Sequence, residues 1–187
     1  MVKTLILVRH GQAEPSSAAV PDIERSLTDA GRAALAGPQG FPRTFALLSS
    51  EERREASLWA SEALRAQQTA QEVAAVLGER TITSYSYLFD QDEQRFIEHV
   101  RQTDADCLIV VGHIPFVDRV TEYLTGSRLS FRPGAAAALR LDHSLDPCQS
   151  EVRAGTSSVS AAPRSRRAHD AVAFFAAISS CHERTFC

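Results

Sequence analysis

The chain has 187 residues, 44% of them hydrophobic, and its 20 Lys and Arg against 23 Asp and Glu leave a net charge of -3 and a pI near 6.1. That is the length of one domain, with enough apolar material for a sizeable core. A mildly acidic chain is unlike a nucleic-acid binder, which carries a strongly basic face, and no apolar stretch is long enough to span a bilayer. Residues 1–20 lack the regions of a secretory leader because Arg9 interrupts the apolar run, so the expected location is cytoplasmic. Cys107, Cys148, Cys181 and Cys187 show no CxxC pairing, so neither a disulfide framework nor a metal site is expected. Cys107 falls in an apolar run and reads as a buried, reduced thiol.

Leu5-Ile6-Leu7-Val8 has the length and composition of a buried strand, and Gly11 lets the chain turn sharply after Arg9-His10. A polar loop follows over residues 12–26. Thr28 then caps a helix through about Leu35, with Asp29 in its first turn, and Gly37-Pro38 and Gly40 to Pro42 end it. Residues 49–56 read as a charged helical turn, and Leu58-Trp59-Ala60 as a short strand. Ser61 is expected to cap a helix whose apolar face is Ala66, Ala70, Val73 and Leu77, with Arg65 in the first turn and Gly78 as its stop.

Ile82 to Leu88 suits a strand, and the acidic run Asp90 to Glu93 opens a helix that turns Phe96, Ile97 and Val100 inward. Cys107 to Val111 is a continuous buried-strand run ended by Gly112-His113. Pro115, at a first helical position, starts a helix that stops near Gly126. A last strand is expected over Ala136 to Leu141. Strands alternating with helices predict an α/β fold: three layers, with a mostly parallel central sheet flanked by helices. From His143 onward the composition turns to Ser, Ala and Arg. Residues 1–142 therefore read as the domain and 143–187 as a low-complexity tail, disordered or peripheral, with a short helix around Phe174 and Phe175 that could dock on the body.

His10 and His113 both follow strands, Arg9 lies beside His10, and Arg65 lies in a helix's first turn. In an open α/β sheet these positions share the carboxyl edge, where ligands bind. Two guanidinium forks and helix amino ends would suit a phosphoryl group, and a neutral imidazole can attack phosphorus to give a phosphohistidine. His10 is the better-placed nucleophile. His99, His143, His169 and His182 lack a strand-end setting and read as surface residues.

Four stretches in order, Leu7-Val8-Arg9-His10-Gly11, Leu27-Thr28 with Gly31, Ser61-Glu62-Ala63-Leu64-Arg65-Ala66-Gln67-Gln68-Thr69, and Val110-Val111-Gly112-His113-Ile114-Pro115, resemble the histidine phosphatase superfamily. This superfamily is also called phosphoglycerate-mutase-like, and the match is with its small SixA-like phosphohistidine phosphatases. The resemblance implies that His10 is phosphorylated, that Arg9 and Arg65 clamp the phosphoryl oxygens, and that His113 completes the pocket. It also implies a carboxylic acid at the leaving group, for which Asp90, Asp92 and Glu93 are candidates and Glu93 lies nearest the pattern. Ser61 could lend a hydroxyl as well.

The implied activity is hydrolysis of a phosphorylated protein without a cofactor or metal, the partner being of the type of a histidine-containing phosphotransfer domain. The alternatives are a small-molecule phosphomonoesterase of the same superfamily, acting on a small phosphoester, and a non-catalytic phosphate-binding module. No nucleic acid or membrane partner is expected.

Overall fold

The computed structural model describes residues 2–141 and the backbone of residues 175–176. Its strands are β1 (Thr4–Arg9), β2 (Ser57–Ser61), β3 (Ile82–Tyr85), β4 (Cys107–Gly112), β5 (Ala136–Arg140) and the two-residue β6 (Phe175–Ala176). The helices between them are α1 (Asp29–Ala36), α2 (Phe41–Phe45), α3 (Ser50–Glu55), α4 (Leu64–Leu77), α5 (Ser86–Phe89), α6 (Glu93–Gln102) and α7 (Phe116–Thr125), and a 3-10 turn covers Asp22–Glu24.

The strands form one sheet in the order β3-β2-β4-β1-β5-β6. The pairs β1–β4, β2–β4 and β2–β3 are parallel, while β5 runs antiparallel to β1 and β6 antiparallel to β5. Side chains alternate across a pleated strand, so the central strands supply two cores at once. Leu5, Leu7, Leu108 and Val110 face one side, where Phe96, Val100, Phe116, Val117 and Leu124 of α6 and α7 cover them. Ile6, Val8, Ile109 and Val111 face the other and meet Leu35, Phe41, Phe45, Ala66, Ala70, Val73 and Leu77 from α1, α2 and α4. Each of the Val, Leu, Ile and Phe side chains contributes about 1.5–3 kcal/mol on burial. The result is the expected three-layer, mostly parallel α/β fold.

Local chemistry accounts for most element ends. Thr28 accepts from the Gly31 amide at 2.8 Å, as a helix cap should. α3 begins with a full capping box, in which Ser49 Oγ accepts from Glu52 N and Glu52 Oε2 accepts from Ser49 N. Gly78 and Gly126 close α4 and α7 with φ of 84° and 68°, a left-handed backbone that suits glycine.

Four expectations about element boundaries need correction. Pro42 sits in the first turn of the short helix α2, where a missing N–H costs nothing, so the Gly40 to Pro42 stretch opens a helix as well as ending one. The strand at Ile82 ends at Tyr85, and α5 takes over Ser86 to Phe89. Pro115 stands just before α7, at its N-cap position, joined to Ile114 by a cis peptide bond. Phe175 lies in the short strand β6 on the open side of β5 and not in a helix. The remainder of the tail, including His143, His169 and His182, lies outside the described residues.

His99 is half-buried, in contrast to its expected surface position. Its ring stacks on Trp59 at 4.6 Å and meets Tyr85 edge-on at 4.8 Å, and its Nδ1 is hydrogen-bonded to the Tyr87 hydroxyl at 2.9 Å. Cys107 is fully buried, and that burial pushes its thiol up to about 12. Among the described residues no helix is long and apolar enough to cross a membrane.

Candidate active site

The register of the sheet brings the two strand-end histidines together. Arg9 pairs with Gly112 across β1 and β4, so His10 and His113 emerge side by side, and their rings lie 5.1 Å apart. Three backbone hydrogen bonds hold this edge: His10 N donates to Gly112 O, and Gly134 N donates to the carbonyls of Arg9 and His10. Behind it, Gly11 N donates to Thr69 Oγ1, which donates in turn to Arg65 O. Thr69 therefore sets the register between α4 and the turn after β1, and with it the position of Arg65. Gly31 closes the same turn from the other side, because a Cβ there would lie 2.3 Å from Gln12 O.

The hydrogen bonds also fix which nitrogen of His10 can react. Its Nδ1 lies 2.7 Å from Gly11 O, and a carbonyl only accepts, so Nδ1 carries the proton and Nε2 keeps its lone pair. Burial is the main cause that lowers the His10 pKa to about 4, and Arg65, Arg9 and Arg25 lower it further. Burial likewise takes His113 down to about 3, with His10 adding to the effect. Both rings are neutral at physiological pH, and His10 is available as a base or nucleophile.

His113 Nε2 lies 2.8 Å from Ser61 Oγ, which also accepts from the amide of Ala63. Ser61 is thus the last residue of β2, and Ala63 takes the cap position of α4 that the sequence suggested for Ser61. The Ser61 hydroxyl can donate to Nε2, and in that tautomer the His113 proton sits on Nδ1. That Nδ1, Arg9 Nε and Arg65 Nε are buried without hydrogen-bond partners. Buried donors of this kind are costly unless something pairs with them. Here three of them sit on residues lining one cleft around His10.

The cleft has a volume of about 370 Å³ and is lined by Arg9, His10, Asp22, Arg25, Arg65, Phe89, Gln91, His113 and Ile114. Asp22 ties its wall together: its carbonyl and Oδ2 accept from Arg65 at 2.6 and 2.8 Å, and Oδ1 accepts from Arg25. Hydrogen bonds from both arginines outweigh desolvation and hold the Asp22 carboxyl below its usual value. Of the sequence candidates, Arg9, His10, Arg65 and His113 converge here.

Glu93 does not. It is ion-paired with Arg119 and lines a separate groove between α6 and α7 with Ile97, Val120 and Tyr123. Asp92 accepts from Arg95 N as the cap of α6, and Asp90 is exposed. Asp22, Arg25, Phe89, Gln91 and Ile114 were missed by the sequence reading. For the first two a signal was present, since an Asp and an Arg three residues apart directly precede Leu27-Thr28.

This mixed sheet, with its cleft at the carboxyl ends of β1 and β4, is the phosphoglycerate-mutase-like α/β fold. Among solved structures, the chain is similar to a candidate SixA phosphohistidine phosphatase from Agrobacterium tumefaciens, with 21% identity over 75% of this chain and 92% of that one and a TM-score of 0.62. It is also similar to the protein histidine phosphatase SixA complexed with tungstate, with 21% identity, 76% and 91% coverage and a TM-score of 0.60. A third similar structure is the alpha-ribazole phosphatase of Shigella flexneri, with 17% identity, 75% and 91% coverage and a TM-score of 0.57. At these identities the likeness is one of fold. No protein-family model and no curated protein matches the chain.

Proposed function

We propose that the protein is a phosphatase that works through a phosphohistidine on His10 and acts on a phosphorylated protein, in the manner of the SixA-like enzymes. The observation that carries this reading is the convergence of two guanidinium groups, Arg9 and Arg65, and a second neutral imidazole, His113, on one cleft beside His10, whose Nε2 keeps its lone pair. A phosphoryl group offers acceptor oxygens to such donors, and donors fixed in advance are the largest source of rate in phosphoryl transfer.

In the first step His10 Nε2 forms a bond to phosphorus while the bond to the leaving group breaks. In the second, water attacks the phosphohistidine, inorganic phosphate departs, and the nitrogen lone pair returns to His10. A substrate bearing phosphate on an imidazole suits this cleft, because that imidazole leaves as a neutral ring when its other nitrogen is already protonated.

The test is labelling with a phosphodonor followed by a turnover panel. Wild type should form an acid-labile phosphoenzyme that His10→Ala does not form, and it should prefer a phosphorylated histidine-containing transfer domain to sugar phosphates and nucleotides. A preference for the small phosphoesters overturns the protein substrate, and no labelling with any donor overturns the catalytic reading in favour of a phosphate-binding module.

A further inference from the structure

In-line displacement by His10 sends the leaving group away from its Nε2 and across the cleft. The cleft is also lined by Asp22, Arg25, Phe89, Gln91 and Ile114. Its one carboxylate, Asp22, is held ionised between Arg65 and Arg25 and has no proton to give. The neighbouring acids of the α5–α6 connection are directed elsewhere, Asp92 to the cap of α6 and Glu93 to Arg119.

The residue of that connection that does reach the cleft is Gln91. Its φ is 59°, a left-handed value that a long side chain seldom adopts. Asp90 N bonded to Ser86 O and Asp92 N bonded to Tyr87 O lock the turn on either side of it. Among the described residues no protein group engages its amide.

We propose that Gln91 is a specificity-determining residue: the left-handed turn presents a neutral amide to the departing group where an alkyl ester would require a carboxylic acid. This inference rests on the phosphatase reading of His10. An alkoxide must take a proton as the P–O bond breaks, and a carboxamide does not supply one. An aryloxide, or an imidazole protonated at its far nitrogen, departs without that help, and the amide can still hydrogen-bond to it. Selection among leaving groups thus comes from one uncharged side chain.

The experiment measures kcat/KM of wild type, Gln91→Glu and Gln91→Asn on p-nitrophenyl phosphate and on an alkyl phosphate such as glycerol phosphate. A carboxylic acid at this position should raise the ratio of alkyl to aryl turnover at least tenfold in Gln91→Glu, and that gain should fade as pH rises and the new carboxyl ionises. Gln91→Asn, whose side chain is the better suited to a positive φ, should keep the wild-type ratio and serves as the control for folding of the turn. A Gln91→Glu ratio equal to that of wild type, in a protein that still forms the His10 phosphoenzyme, overturns the role of Gln91 and leaves the phosphatase reading standing. Absence of a phosphoenzyme in wild type removes both.

Discussion

The carbonyl of Gly11 accepts the His10 Nδ1 proton, and burial lowers the ring's pKa to about 4, so His10 keeps an unprotonated Nε2 well below the pH at which a free histidine becomes charged. The acid limb of kcat/KM should therefore lie near pH 4. A limb near pH 6.5 would show that burial does not govern this imidazole. The sign for stability follows from the same shifts. Between the lowered folded values and about 6.5, the unfolded chain holds more protons on His10 and His113 than the folded chain does. Their contribution is complete above about pH 6.5 and is lost as pH falls toward 4 and 3, so thermal scans of wild type should show Tm falling over that range. In a His113→Asn variant part of that dependence should vanish. Ser61 acts through His113, so Ser61→Ala should reduce kcat by about tenfold with little change in KM, less than the 10²–10³ lost with a direct donor. A Ser61→Ala enzyme with unaltered kcat would mean that the Ser61 hydroxyl does not set the imidazole tautomer.

At the scale of elements, the site depends on how closely α1 and α4 approach the turn after β1. Gly31 carries this at the α1 end, since an added Cβ would lie 2.3 Å from Gln12 O and 3.0 Å from Gln12 Cβ, and a backbone oxygen cannot swing aside. Gly31→Ala should cost about 1–3 kcal/mol and lower phosphoenzyme formation as well, because Gln12 follows Gly11 directly. Denaturant titration and labelling of the same preparation check both effects. The strands and helices of this framework were readable in the chain because continuous apolar runs and 3.6-residue faces report burial directly: the Cys107 to Val111 run and the Ala66, Ala70, Val73 and Leu77 face are both found as expected. Which residue of the α5–α6 connection lines the cleft was not readable, because composition places Asp90, Gln91 and Asp92 before α6 without fixing the left-handed turn at Gln91. Gln91 lines it, and Glu93 turns to Arg119. Arg25 has its partner Asp22 three residues away, but its bond to the Glu14 carbonyl depends on the path of an irregular loop.

For the molecule as a whole, two cores on opposite faces of one sheet lie within residues 2–141, while β6 adds only the pairs Ala136–Ala176 and Ala137–Phe175. A chain ending at residue 142 should therefore keep a single cooperative unfolding transition and the His10 phosphoenzyme. It should also leave β5, whose first three residues are alanine, as an unpaired edge open to a second strand. Sedimentation at increasing concentration should show more self-association in the shortened chain than in the full one. Loss of the folded state on truncation would assign the tail a share of the core.

The stack of His99 on Trp59 gives this protein a native optical probe. Trp59 is the one tryptophan of the chain, and it lies in β2 two residues before Ser61, the partner of His113. The imidazole packed against the indole makes the emission of the unlabelled protein report the packing around β2. Phosphoryl binding that shifts β2 should perturb the same signal, so occupancy of the cleft can be followed without a dye.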